Sequence, residues 1–116
     1  MEAFLLALLL TETVRASISS SGSQANGTSS APAISANGRL VAFVSGATNL
    51  APFDTNGAED IFVRDLAKGT TTRVSVASNG AQGNGNSSQP AMTPDGRFVV
   101  FASDSSNLVS GDGNAR

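Results

Sequence analysis

The fold is decided by a short stretch that the chain contains twice, as PAISANGRLVAF at residues 32–43 and as PAMTPDGRFVVF at residues 90–101. In each case an apolar segment is followed by Asn-Gly or Asp-Gly and then by a second apolar segment. Asn, Asp and Gly tolerate the positive φ angles that tight hairpin turns require. Each stretch therefore predicts a β-hairpin, with its turn at residues 37–38 or 94–96.

The similarity extends well beyond these hairpins. Residues 19–56 align with residues 77–114 without a gap, at an offset of about 58 residues. About 20 of about 45 paired positions are identical from residue 14 onward, more than a shared composition would produce. The chain therefore contains an internal repeat, and residues 19–56 and 77–114 are called the first and second copies below.

The first copy and the residues that follow it predict four short strands and no helix. Turn residues separate the apolar segments, and outside the N-terminal run no window has a helical period. The predicted strands cover residues 33–35, 40–45, 60–66 and 71–77, and the second copy adds a strand at residues 97–103.

Apolar side chains are distributed unevenly over these strands. Residues 40–44 and 98–102 are apolar on both faces, whereas residues 72–76 alternate between polar and apolar. A sheet with one face in water would alternate in every strand. The gradient is typical of a small sheet that packs between copies of itself. The predicted fold is therefore all-β and consists of β-propeller blades, each a four-stranded antiparallel sheet.

The same residues resemble a known family. Residues 32–43 and 90–101, with 60–66, Gly69 and Arg73, are similar to the TolB-type, WD-repeat-like β-propeller repeat. The resemblance covers nearly the whole chain after residue 14, although Ala36-Asn37 replaces the Pro-Asp of the family turn. It implies the propeller fold, and a role in binding proteins, capping hydrolases or serving in the cell envelope.

About two blades' worth of sequence is present. Residues 33–77 make one full blade, and half blades flank it within a repeat segment at residues 14–116. A closed propeller needs about four to eight blades, so we expect an incomplete ring that is a fragment or assembles from several copies. Open edge strands predict self-association.

Residues 1–13 form an apolar leader with two interpretations. The apolar run at residues 3–10 is too short for a membrane span, which takes about 20 residues. It is typical of a secretion signal cut before Ser17, although Glu2 and the lack of basic residues before it argue against this. Alternatively, it is a degraded strand, because residues 2–8 align with residues 60–66.

The composition argues against several functions. The chain has no Cys and no His, so disulfides, zinc ribbons and Ser-His-Asp catalysis are excluded. The net charge is −2 and the six Phe are the only aromatic residues, so the sequence has neither the basic surface nor the stacking residues that nucleic-acid binding requires. We expect a protein that is not an enzyme and does not bind nucleic acid.

The strongest candidate for a metal site is DTNGAED at residues 54–60. Oxygen ligands at alternating positions beside a Gly are what a calcium loop uses. The predicted ligands are Asp54, Asn56 and Asp60, with Asp112 and Asn114 as their equivalents in the second copy. In the alternative interpretation these residues only form Asx-turns and open a strand.

The polar loops at residues 19–31 and 77–89 are the predicted surface for a protein partner, since propellers bind through variable loops. They hold matches to the glycosylation sequon at residues 26–28 and 86–88. Arg39 and Arg97 follow the two hairpin turns, where they either contact an anionic partner or anchor a loop.

These observations predict a non-catalytic interaction scaffold in a secreted, periplasmic or cell-envelope protein. One alternative is a calcium-stabilised surface or adhesion repeat. Another is the propeller gate of a prolyl-oligopeptidase-like hydrolase, whose catalytic domain does not lie in these residues.

Overall fold

The computed structural model describes residues 14–52 and 57–109, and its regular elements are all β-strands. The all-β prediction is therefore confirmed, while the predicted leader at residues 1–13 lies outside the described residues. Among the residues described, no helix is long and apolar enough to cross a membrane. The strands are β1 (Ser29–Ile34), β2 (Leu40–Ser45), β3 (Asp60–Asp65), β4 (Thr70–Arg73), β5 (Ser87–Met92) and β6 (Val99–Ser103).

The strands form two antiparallel sheets. β1, β2, β3 and β4 make a four-stranded sheet in sequence order, which we call the first sheet. β5 and β6 pair as a hairpin, which we call the second sheet. The predicted four-stranded antiparallel sheet is thus present.

The first strand begins earlier than the sequence predicted. It was expected at residues 33–35, but β1 starts at Ser29, which pairs with Ser45. The register shifts between Ser30 and Ala33, where Ala31 has a φ of 53°. Pro32 has no N–H to donate to a neighbouring strand. The serine-rich segment beside it was therefore predicted as a loop. β5 repeats this irregularity with Gln89 at φ 55°.

Both hairpin turns form where Asn-Gly and Asp-Gly predicted them. The Asn37 Oδ1 accepts hydrogen bonds from the backbone N–H of Arg39 and from the Ser35 hydroxyl, at 3.0 and 2.8 Å. In the second copy Asp95 accepts the same two bonds, from Arg97 and Thr93. These donors hold the pKa of the Asp95 carboxyl below its ordinary value.

The two faces of the first sheet bury different sets of side chains. Neighbouring residues of a strand point to opposite faces, so we distinguish an A face from a B face. The B face packs Phe43 on Phe62, with ring centroids 5.9 Å apart, against Ala47 and Leu50. The A face consists of Leu40, Ala42 and Val44 on β2, Ile61 and Val63 on β3, and Ala33 on β1.

The second sheet covers the A face of the first sheet. β5 lies against β1, β2 and β3, and a Cβ added to Gly96 would lie 2.6 Å from the Leu40 Cδ1. Ala42 and Val44 are buried as a result. The prediction that residues 40–44 are buried on both faces is therefore confirmed for residues 42–44.

The same prediction is wrong for residues 98–102. Phe98 is 59 % exposed and Val100 66 % exposed, and the strand alternates between half-buried and exposed residues. The reason is the position of the hairpin. One face of β6 lies toward the first sheet, and within residues 14–52 and 57–109 no further sheet lies against the other.

Two leucines test the B-face core. We expect Leu50→Ala to lower the free energy of unfolding by about 3 kcal/mol, because Leu50 is 2 % exposed and its loss leaves a cavity. The matched control, Leu66→Ala at a residue 37 % exposed, should cost less than about 1 kcal/mol. Urea denaturation followed by circular dichroism measures both, and equal losses would contradict this core.

Candidate functional site

Of the predicted binding loops, residues 24–28 and 82–86 lie at one end of the two sheets. This position follows from the antiparallel register, which pairs Ser45 with both Ser29 and Asp60. The sheets also meet here, since the Glu59 carbonyl accepts a hydrogen bond from the Ser87 N–H at 2.8 Å. We call this end the loop rim; it comprises residues 24–28, 46–52, 57–59, 74–86 and 104–109, whereas the turn at residues 19–23 lies beside Thr71, near the start of β4.

An asparagine bracket joins two loops of the first copy. The Asn26 side chain donates to the Thr48 hydroxyl at 2.9 Å and accepts from the Thr48 N–H at 2.8 Å. The Asn49 side chain accepts from the Asn26 N–H at 3.0 Å and donates to the Gln24 carbonyl at 2.8 Å. An Asn amide offers both a donor and an acceptor, so two such residues hold two loops together.

The second copy contains the same bracket. Asn84 exchanges two hydrogen bonds with Ser106, at 3.0 and 2.9 Å. Asn107 accepts from the Asn84 N–H and donates to the Gln82 carbonyl, both at 3.0 Å. No structural role was predicted for these asparagines, although identical Asn residues at equivalent positions of the two copies were a usable signal.

The loops approach each other too closely for a side chain at one position in each copy. A Cβ added to Gly27 would lie 2.9 Å from the Ala47 backbone nitrogen, and one added to Gly85 would lie 3.0 Å from Asp104 backbone carbon. Both glycines directly follow the bracket asparagines. The bracket and the glycine therefore fix the same loop shape in both copies.

The exposed residues carried by this common framework differ. The turns at residues 19–23 and 77–81 make the same two backbone hydrogen bonds, which close at Gly22 and Gly80. Several exposed side chains in and after these turns differ. Between the first and second copies Ser21 becomes Asn79, Ser23 becomes Ala81 and Thr28 becomes Asn86.

The structure places Asp60 inside the first sheet. Its carboxylate is 0 % exposed, and its Oδ1 accepts a hydrogen bond from the Ser75 hydroxyl at 2.9 Å. The Oδ2 lies 3.8 Å from the Arg73 Nε. A hydroxyl donor and a cation both stabilise a buried carboxylate. Asp60 therefore has a structural role on the B face.

The rest of the predicted calcium set lies outside the described residues, so the site stays a prediction. Within residues 14–52 and 57–109, no three His, Cys, Asp or Glu side chains group closely enough to hold a metal. The predicted ligands not described are Asp54 and Asn56, with their equivalents Asp112 and Asn114.

A buried arginine ties the N-terminal segment to the B face. The Arg64 Nη1 donates to the Thr71 hydroxyl at 3.1 Å and to the Ser19 carbonyl at 3.3 Å. The Thr71 hydroxyl donates in turn to the Ile18 carbonyl. A charge inside an otherwise apolar strand was the sequence signal for this contact, because buried charges need partners.

The two candidate arginines behave differently. The Arg39 guanidinium donates to both carboxylate oxygens of Asp65, at 3.1 and 3.0 Å. This bidentate pair, with backbone bonds led by Lys68, lowers the pKa of the Asp65 carboxyl from 3.8 to about 2. Arg39 therefore anchors a turn. The Arg97 guanidinium instead lies 5.4 Å from the ring centroid of Phe98.

No protein-family model matches the chain, and no curated protein shows significant similarity to it. The resemblance to TolB-type, WD-repeat-like repeats therefore stays a prediction from the residues themselves.

The Arg39–Asp65 pair predicts an acid-dependent stability. The folded-state pKa of Asp65 is below its ordinary 3.8, so its contribution is complete above that pH and is lost as pH falls toward 2. In thermal melts across this range, we expect Arg39→Gln to melt below wild type above about pH 4 and to converge with it at lower pH. Arg97→Gln is the matched control and should parallel wild type. A constant gap for Arg39→Gln would contradict the assignment.

The role of Asp60 is tested by Asp60→Asn. The substitution removes the negative charge that faces the largely buried Arg73, so we expect a loss of about 3 kcal/mol in unfolding free energy. The loss should be the same in EDTA and in millimolar calcium, and Asp104→Asn at an exposed residue should cost little. A loss that depends on calcium would instead make Asp60 a ligand, and it should then be matched by Asp54→Asn.

Proposed function

We propose that the chain is a segment of a β-propeller-type stack and acts as a non-catalytic interaction scaffold, with the loop rim as its binding surface. The observation that carries the proposal is the asparagine bracket, which recurs with the same bonds in both copies while the exposed residues beside it differ. A rigid frame with variable exposed positions is how binding loops present different contacts on one scaffold.

The stack is supported by the way the sheets pack. A four-stranded antiparallel meander has one face against the following hairpin and the other against the preceding segment. This arrangement is typical of propeller blades, which succeed one another face to face.

The composition of the rim favours a protein partner. Its exposed side chains are mainly Ser, Thr and Asn among glycines, with few charges. Such residues supply adaptable hydrogen bonds to backbone and side-chain groups, as in antibody loops. The chain also lacks the His and Cys that most nucleophilic catalysis requires. We place this scaffold in a secreted, periplasmic or cell-envelope protein, as the family resemblance implies.

Site-specific photocrosslinking tests the rim. A photoreactive residue at Thr28, directly before β1, or at Asn79, which lines a groove with residues 106–109, lies on the rim, whereas one at the exposed Lys68 lies at the opposite end of the sheets. In cells of the source organism we expect the rim probes to capture one shared protein and the Lys68 probe to miss it.

The bracket supplies the matching variants. Asn26→Ala with Asn84→Ala should abolish capture, because the loops lose the bonds that fix their shape. Asn37→Ala, which alters the hairpin turn at the other end, should preserve it. Equal capture from Lys68, or no capture from either rim position, would overturn the proposal.

A further inference from the structure

The A face is covered in the first sheet and open in the second. Ala42 is fully buried, whereas its equivalent Val100 is 66 % exposed. Leu40 is half-buried beneath the hairpin turn, whereas its equivalent Phe98 is 59 % exposed. Val44 is buried and Ala102 is exposed. The second sheet therefore presents an apolar A face in the same strand positions that the first sheet buries.

On the B face the relation is reversed at the end of β1, where the apolar residue is more exposed in the first sheet than its equivalent is in the second. Ile34 on β1 is 60 % exposed, whereas its equivalent Met92 on β5 is half-buried. Met92 pairs with Val99 on the face of the second sheet that lies toward the first sheet. In the first sheet an open groove of about 500 Å³ lies on this side, lined by residues that include Pro32, Val41 and Phe43.

The part of the chain that the structure describes thus contains one complete interface between sheets and the two unmatched halves of another. The geometry points to a second copy of this chain as the occupant. The B face around β1 and β2 of one copy docks onto the A face of β5 and β6 of the next, in the arrangement that joins the two sheets within the chain. We call this head-to-tail docking, and it continues the interface already described.

The polar bonds at the two interfaces differ. Within the chain the Ala36 N–H donates to the Pro94 carbonyl at 2.8 Å. At the interface between two copies, the second sheet takes the place that the first sheet has within the chain. Its residue equivalent to Ala36 is Pro94, which has no N–H. This hydrogen bond is therefore not repeated, and apolar side chains carry the contact between copies. A charge placed among them should be costly because it loses water without gaining a partner.

Head-to-tail docking joins two different surfaces, so each copy retains a free surface of each kind after one contact. It is distinct from pairing through open edge strands, which uses backbone groups and does not depend on side chains of the sheet faces. It rests on the packing of the two sheets and not on the loop rim. Its failure would therefore leave the proposed rim function standing.

Sedimentation velocity of the full chain over a micromolar concentration series is the first test. We expect wild type to associate as its concentration rises. Val100→Glu and Ile34→Glu should each weaken association at least about tenfold. Both residues are exposed in the single chain, so circular dichroism should show an unchanged fold. Ser78→Glu, which adds the same charge in an exposed loop, should associate like wild type.

Mixing the two defective variants tests the polarity of the contact. The Val100→Glu chain keeps an intact B face, and the Ile34→Glu chain keeps an intact A face. The mixture should therefore form a dimer that does not extend further. A wild type that stays monomeric throughout, or association that neither Glu variant reduces, would overturn the proposal. So would an Ile34→Glu chain that still dimerises alone, because the contact would then be self-complementary.

Discussion

The covering of Ala42, Val44 and Ile61 by the second sheet is the contact on which the rest of the structure depends. These side chains form a continuous apolar surface, and burial of the valine and of the isoleucine contributes roughly 1.5–3 kcal/mol each. A two-stranded hairpin alone is marginally stable in water. The second sheet therefore depends on packing against the first sheet for its stability, and the first sheet depends on the second to bury its A face.

The B face adds a second constraint of a different kind. Arg64 and Asp60 are buried there, and a buried charge is tolerated only when it is paired. Arg64 finds its acceptors in Thr71 and in the backbone of the segment before β1. A short stretch of irregular chain is thereby held in a defined position, although it has few apolar residues of its own.

The predictions that succeeded rest on local chemistry. The hairpin turns followed from Asn-Gly and Asp-Gly, and β2 and β3 followed from the short apolar runs at residues 40–44 and 61–63. The start of β1 was missed because Ala31 has a positive φ and precedes Pro32. Residue propensities do not predict strand pairing at such a position. The exposure of Val100 was missed because the burial of a strand face depends on whether another sheet packs against it. The sequence of the strand alone does not show whether such a sheet is present.

The contacts between loops could not be predicted from short stretches of sequence, because they join residues that are far apart in the chain. Asn26 and Asn49 are 23 residues apart, and only the folded chain shows that they meet. Arg39 left two interpretations open until its side chain was seen to bond to Asp65, at the end of the neighbouring strand β3. The one usable clue was the recurrence of identical polar residues at the repeat offset.

The irregularity at Ala31 and Gln89 has a consequence for solubility. β1 is an edge of the first sheet, and β5 has only one neighbour in its own. Straight, flat edges template the addition of foreign strands and so seed amyloid-like growth. A left-handed residue beside a proline twists each edge away from that geometry and removes a donor from it. The irregularity therefore makes each edge a poorer template for the addition of a further strand.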